Sequence, residues 1–119
     1  MAIQIFGHSK CKGTRAAQRF FAERRVPVQM IDITVKGPSK GELESVARAV
    51  GVEAIFDGQG ARAKDRGLLH AGVDKARMLA LMVDDALLCR TPIVRHGQRA
   101  TVGIDEASWK LWAAEAKQI

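Results

Sequence analysis

The chain has 119 residues, 47% of them hydrophobic and 27% charged, and carries a formal net charge of +6. Its size and composition suit one compact domain, 1–119, with a single core. Two cysteines are too few for a disulfide-stapled scaffold, and no apolar run approaches the ~20 residues that a membrane helix needs.

The excess of basic residues is spread along the chain, with no block of five or six cations, and aromatic residues make up 5%. This pattern favours a solvated basic surface over a nucleic-acid interface, which would combine clustered cations with aromatic stacking groups. The first residues, MAIQIFGHSK, lack the apolar core of a signal peptide. We therefore expect a cytoplasmic monomer with free thiols and with neither a nucleic-acid nor a membrane partner.

The beginning of the chain predicts strand, helix, strand. Residues 2–6 alternate apolar and polar, which predicts a short strand closed by Gly7. Apolar residues recur at helical spacing over residues 11–25, and a second strand is predicted over residues 27–33.

The middle of the chain predicts helices. Ser39 and Glu42 form an S-x-x-E capping box, and Gly51 suits the end of the helix that this box begins. The glycine-rich, basic stretch 52–72 predicts loops and short helical turns. Asp74 is typical of the first residue before a further helix.

The end of the chain predicts a hairpin and a last helix. Residues 91–104 read as two short strands joined at His96 and Gly97. Asp105 caps a helix over 106–119, in which the two tryptophans share a face with Ala116 and are expected to pack in the core. The order of elements predicts an α/β fold with a mixed four-stranded sheet flanked by helices.

Cys11 is the main candidate for chemistry because it lies at a predicted strand-to-helix junction. The free N–H groups and the dipole of a helix start stabilise a thiolate, and Lys10, Lys12 and Arg15 lie close in sequence. His8, three residues earlier, could hold a proton or bond the sulfur. The alternative is an inert cysteine in a turn, which the polar, basic surroundings disfavour.

A second thiol does not stand beside Cys11. Thr14 occupies the position that a resolving cysteine has in a C-x-x-C motif. The resolving thiol would then come from glutathione, a partner protein or Cys89. Cys89 follows an apolar stretch, so core packing is its first interpretation, and a resolving role would require disulfide geometry with Cys11.

Three segments together resemble the arsenate reductase (ArsC), Spx and YffB family, which has a thioredoxin fold with a helical insertion between strands 2 and 3, here about residues 37–88. They are IFGHSKCKGTRAA, IDITVKGPSKGELESVARAVG and LLCRTPIVRHGQRATVGIDEASW. The resemblance implies that Cys11 is the redox cysteine, that Arg15 helps to bind an oxyanion and that His8 lies upstream of the site. Lys64, or its near neighbour Arg62, falls at an anion-binding position of the insertion.

The same resemblance implies that Pro92 is a cis-proline facing Cys11. The reductases have arginine directly before this proline, whereas this chain has Thr91 there and Arg90 one residue earlier. Adjacent residues of a strand point to opposite faces, so we expect Arg90 to face away from the site. The expected substrate- or anion-binding set comprises Lys10, Lys12, Thr14, Arg62, Lys64, Arg90, Thr91 and Pro92.

The function expected from these residues is a monothiol, glutathione-dependent thiol oxidoreductase. The Cys11 thiolate would form a mixed disulfide or an oxyanion adduct such as one with arsenate, with glutathione as co-substrate and no bound cofactor. The alternative is a non-catalytic, Spx-like regulatory module that binds RNA polymerase or another protein. We expect no metal site, since neither His70 nor His96 has further ligands at suitable spacing.

Overall fold

A computed structural model describes residues 3–68 and 72–116. The strands are β1 (Ile3–Gly7), β2 (Val28–Asp32), β3 (Ile93–His96) and β4 (Arg99–Val102). The helices are α1 (Lys12–Glu23), α2 (Lys40–Val50), α3 (Val52–Ile55), α4 (Ala61–Asp65), α5 (Lys75–Asp84) and α6 (Glu106–Ala116), with a 3-10 turn at Ala86–Leu88. His70, for which no metal-binding role is predicted, and residues 117–119, the predicted end of the last helix, lie outside the described residues.

The four strands form one mixed sheet in the order β2-β1-β3-β4. Strands β1 and β2 are parallel, whereas β3 runs antiparallel to both of its neighbours. The alternation along β1 serves two cores: Ile3 and Ile5 face the layer of α1 and α6, and Phe6 faces the layer of the insertion. The predicted mixed α/β sheet is confirmed.

The predicted helix caps form as the sequence indicates. Ser39 Oγ accepts from the Glu42 N–H at 3.1 Å, and the Glu42 carboxylate accepts from the Ser39 N–H at 2.9 Å. Asp74 caps α5 through the Arg77 N–H, and Asp105 caps α6 through the Ser108 N–H. These signals involve residues three positions apart, so they determine where the helices begin independently of tertiary contacts.

Element ends differ from the predicted ones by one or two residues. Helix α1 begins after Cys11 and stops at Glu23, because Arg25 takes a positive φ of 57° that a helix cannot continue. Strand β2 spans Val28–Asp32, one residue shorter at each end than expected. The insertion between β2 and β3 contains α2 to α5.

Sheet register brings two distant loops together. Phe6 of β1 pairs with Ile93 of β3 in antiparallel register. The residues that follow β1 therefore meet those that precede β3, and this places the start of α1 beside the Thr91-Pro92 peptide. No helix in the described part of the chain is long and apolar enough to cross a membrane.

Candidate active site

Cys11 is the last residue before α1, with extended backbone angles (φ −87°, ψ 119°) and no side-chain cap on the helix. Its N–H donates to the His8 carbonyl at 3.1 Å, which closes the turn after β1. The side chain is half-buried. The sulfur thus lies at a free helix start, as predicted.

The sulfur is surrounded by hydrogen-bond donors. Partial burial raises the pKa of Cys11, but the Thr14 and Thr91 hydroxyls and the N–H groups of Thr14 and Gly13 outweigh it and lower the pKa below the ordinary value. Thr91 Oγ1 lies 3.1 Å from Sγ. The lowered pKa means that the thiolate adds stability to the folded chain above the thiol's ordinary pKa, and this gain is lost as the pH falls through the lowered pKa.

Thr14 is the most enclosed of these donors. The residue is fully buried, and its hydroxyl makes no well-formed hydrogen bond to any described group. A buried hydroxyl without a partner is costly, and ionisation of the adjacent sulfur supplies an acceptor. In the sequence, Thr14 occupies the position of the resolving cysteine of a C-x-x-C motif. In the structure, its hydroxyl can donate to the Cys11 thiolate.

Gly7, at the end of β1, makes room for Thr14. A Cβ on Gly7 would lie 2.1 Å from Thr14 Oγ1 and 2.7 Å from its Cγ2. We expect Gly7→Ala to lower the free energy of unfolding by about 1–3 kcal/mol. The new methyl group would clash with Thr14, and β1 and the first turn of α1 cannot separate freely to relieve the clash. Urea unfolding measures this loss. The double variant Gly7→Ala/Thr14→Ala should recover part of it; no recovery would contradict the assigned clash.

The loop before β3 forms the opposite wall of the site. The Thr91-Pro92 peptide bond is cis, as the resemblance implied. A Cβ on Gly13 would lie only 2.7 Å from Pro92 Cδ and 3.6 Å from Ile104 Cγ1. Gly13 therefore lets the first turn of α1 approach this loop. Neither Gly13 nor Ile104 stands out in the sequence, since their proximity depends on pairing across the sheet.

Loss of the Thr91 hydroxyl should weaken the nucleophile. In Thr91→Val the pKa of Cys11 is expected to rise, because the thiolate loses a donor, and alkylation of Cys11 at pH 6.5 should slow about three- to tenfold. Iodoacetamide kinetics against pH measure both effects. Thr91→Ser keeps the hydroxyl and should match the parent; equal slowing in both variants would assign the effect to packing instead.

The basic residues near Cys11 lie elsewhere than expected. Arg15 Nη1 donates to the Ser9 carbonyl at 2.6 Å rather than to the sulfur. The groups that lower the pKa of Cys11 are hydroxyl and N–H donors, not Lys10, Lys12 or Arg15, whose side chains are exposed. The two threonines and the backbone thus supply the donors to the sulfur, and the contribution of these cations to the ionised thiol stays a prediction.

A cavity of about 790 Å³ adjoins the site, because Thr91 and His8 both line it. Arg90, which precedes β3, also lines this cavity, whereas Cys11 is not among its lining residues, so the orientation of Arg90 relative to the sulfur stays a prediction. Arg62 lines the cavity, whereas Lys64 is exposed and is not among the lining residues.

Both arginines of the cavity are already occupied by partners within the chain. Arg62 Nε donates to Asp85 Oδ2 at 2.6 Å. Partial burial raises the pKa of Asp85, but the hydrogen bond and the charge of Arg62 outweigh this effect. The pKa of Asp85 is therefore lowered, and its carboxylate stays ionised. Arg90 donates to the Ala54 carbonyl at 3.3 Å and lies 3.9 Å from Asp57. Neither aspartate could be identified from the sequence, because no local pattern links them to these arginines.

Cys89 differs from Cys11 in every respect that governs reactivity. It is 6% exposed and packs in the core of the insertion side. Burial, followed by the charge of Asp85, raises its pKa to about 12. Core packing, the first interpretation of Cys89, agrees with its surroundings. Within the described residues no group of three or more His, Cys, Asp or Glu side chains could hold a metal.

The fold and the site together define a class of protein: an arsenate reductase-like thiol oxidoreductase fold of thioredoxin-like topology, with its cysteine at the start of the first helix and facing a cis-proline loop. The ArsC family model matches residues 6–111, and the chain belongs to the ArsC family.

Known proteins agree with this membership. YusI, an uncharacterized protein of Bacillus subtilis, is 26% identical over 120 residues, which cover 95% of this chain and 100% of YusI. The solved YFFB protein has a TM-score of 0.82 at 18% identity, covering 92% of this chain and 97% of its own. An arsenate reductase from Vibrio cholerae has a TM-score of 0.74 at 23% identity, covering 87% and 90%. At such identities the solved structures show a common fold.

Proposed function

We propose that this protein is a monothiol, glutathione-dependent thiol oxidoreductase that acts on mixed disulfides. The observation that carries the proposal is the contrast between the two thiols. The pKa of half-buried Cys11 is lowered by hydroxyl and backbone donors, whereas that of buried Cys89 is raised to about 12. One nucleophile without a second reactive thiol requires an external reductant, and glutathione is the small thiol suited to that role.

The reaction proceeds in two balanced exchanges. The Cys11 thiolate attacks the glutathione sulfur of a protein–glutathione disulfide, so a Cys11–glutathione disulfide forms and the protein thiolate leaves and takes up a proton. A second glutathione thiolate then attacks the glutathione sulfur of the adduct, releasing oxidised glutathione and the Cys11 thiolate. The Thr14 and Thr91 hydroxyls stabilise the Cys11 thiolate at the start and at the end of the cycle.

Disulfide exchange is favoured over arsenate reduction by the pairing of the cavity arginines. An oxyanion site needs donors that are free to turn to the ligand. Here Arg62 is bonded to Asp85, and Arg90 is bonded to Ala54 and lies near Asp57. Arsenate would have to displace these partners, whereas attack on a disulfide needs only the Cys11 thiolate.

Adduct mapping combined with turnover tests the proposal. The reduced protein is given a glutathionylated peptide, oxidised glutathione or arsenate, and peptide mass spectrometry locates the adduct. Glutathione, glutathione reductase and NADPH then report turnover. We expect glutathione on Cys11 and NADPH consumption with the peptide, and little with arsenate. An adduct confined to Cys89 would overturn the proposal. Absence of turnover with every acceptor would favour a regulatory binding module.

A further inference from the structure

We infer that the oxidised partner of this protein is an acidic protein segment, which binds along the exposed face of α1 and contacts Ile104 beside the first turn of that helix. This inference names the partner class of the site proposed above and rests on that proposed function. Two independent features carry it: a row of cations that begins next to Cys11, and an exposed apolar side chain next to Gly13, two residues after Cys11.

The cations at this end of the chain have no acidic residue near them in the sequence. Lys10, Lys12, Arg15 and Arg19 are all exposed, and the sequence has no carboxylate before Glu23. None of the four forms an ion pair with a carboxylate of residues 3–68 or 72–116. Their charge is therefore available to an external anion.

The geometry of α1 arranges the cations as a row. Lys12, Arg15 and Arg19 are spaced three and four residues apart, so they lie on one face, opposite the buried Ala17 and Phe21. Lys12 and Arg19 are seven positions apart, which corresponds to roughly 10 Å along the helix. That length exceeds one small oxyanion and matches several acidic side chains of an extended segment.

Ile104 supplies the apolar contact. It is 61% exposed, and its Cγ1 would lie 3.6 Å from a Cβ built on Gly13, two residues after Cys11. A large exposed aliphatic side chain beside the helix that begins at the reactive cysteine is a suitable anchor for a protein partner. All six aromatic residues, Phe6, Phe20, Phe21, Phe56, Trp109 and Trp112, are buried, so this surface offers no aromatic stacking platform for single-stranded nucleic acid.

Binding can be measured without any redox step in the Cys11→Ser chain. The probes are three fluorescein-labelled peptides that differ only in four residues beside one leucine: glutamates, glutamines or lysines. We expect tightest anisotropy binding for the glutamate peptide. Arg19→Glu should weaken it about three- to tenfold at about 0.02 M salt and much less at about 0.5 M. Arg77→Glu, an equal charge change at an exposed position of α5, should weaken it less than about twofold.

Ile104→Gln tests the apolar contact against Leu111→Gln, since Leu111 is 66% exposed on α6. Only Ile104→Gln should weaken the glutamate peptide, by about threefold or more. Equal binding of glutamate and glutamine peptides, or equal effects of Arg19→Glu and Arg77→Glu, would overturn the inference. Tighter, Arg19-dependent binding of a single-stranded oligonucleotide would overturn it in favour of nucleic acid.

Failure of the proposed function gives a different result. If the redox proposal is wrong, turnover is absent while the peptide preference and its dependence on Arg19 persist. If only the docking inference is wrong, glutathionylated glutamate and glutamine peptides are turned over with equal kcat/KM by the parent chain. The two outcomes cannot be confused, because the binding assay uses a chain without the Cys11 thiol.

Discussion

Cys11→Ser is expected to lower turnover of a glutathionylated peptide at least about a thousandfold, because a serine hydroxyl stays protonated where the thiol ionises. The surrounding donors cannot compensate. Thr14, Thr91 and the helix start lower the pKa of the Cys11 thiol. The pKa of a serine hydroxyl is many units higher than that of a thiol, so the same donors leave the hydroxyl protonated. The measurement is kcat/KM in the NADPH-coupled assay, with circular dichroism to show that the fold is retained.

Cys89→Ala is the matched control for this loss. It removes the other thiol of the chain from the core, where burial raises its pKa to about 12. Turnover should stay within about threefold of the parent, with some loss of stability from the small cavity. A folded Cys89→Ala chain without turnover, or a Cys11→Ser chain with turnover, would show that the wrong sulfur has been assigned.

The largest loss of stability is expected for Trp109→Ala, about 3–5 kcal/mol. Trp109 is fully buried between α6 and the sheet, and its ring lies 5.6 Å from that of Phe20 and 6.0 Å from that of Phe21. The indole N–H donates to Thr101 Oγ1 at 3.0 Å. Truncation thus leaves a cavity and a buried hydroxyl without its partner, and both effects act in the same direction.

Chemical denaturation of Trp109→Ala beside Leu111→Ala separates this loss from an effect on helix formation. Leu111 lies on the same helix and is 66% exposed, so its replacement should change the free energy of unfolding by less than about 0.5 kcal/mol. Similar losses in the two variants would show that α6 contributes as a helix rather than through the packing of Trp109.

Elements encoded by local pattern could be predicted from the sequence. The caps at Ser39, Asp74 and Asp105 depend on residues three positions apart, and each forms as predicted. The alternation in β1 and the spacing in α1 likewise identified a strand and a helix with Cys11 between them. Because a cysteine at a helix start is also a local feature, the centre of the site could be read directly.

The surroundings of the sulfur depend on contacts that sequence spacing does not reveal. Thr91, which bonds Cys11, is 80 residues away, and its hydroxyl acts only because β1 and β3 pair in register. Arg62 and Asp85 meet across 23 residues, so the sequence showed a free cation where the structure has an ion pair. Arg15 was expected at the thiolate, yet the Ser9 carbonyl lies within reach of its side chain.

The burial of Cys89 provides a reporter of conformational opening. A fast-reacting thiol reagent should label Cys11 at once in the native chain, while labelling of Cys89 waits until the core beneath the 3-10 turn opens. With reagent in excess, the second, slower phase therefore measures how often this region separates. Cys89 is therefore a native probe of local opening near the site, and the experiment requires no introduced cysteine.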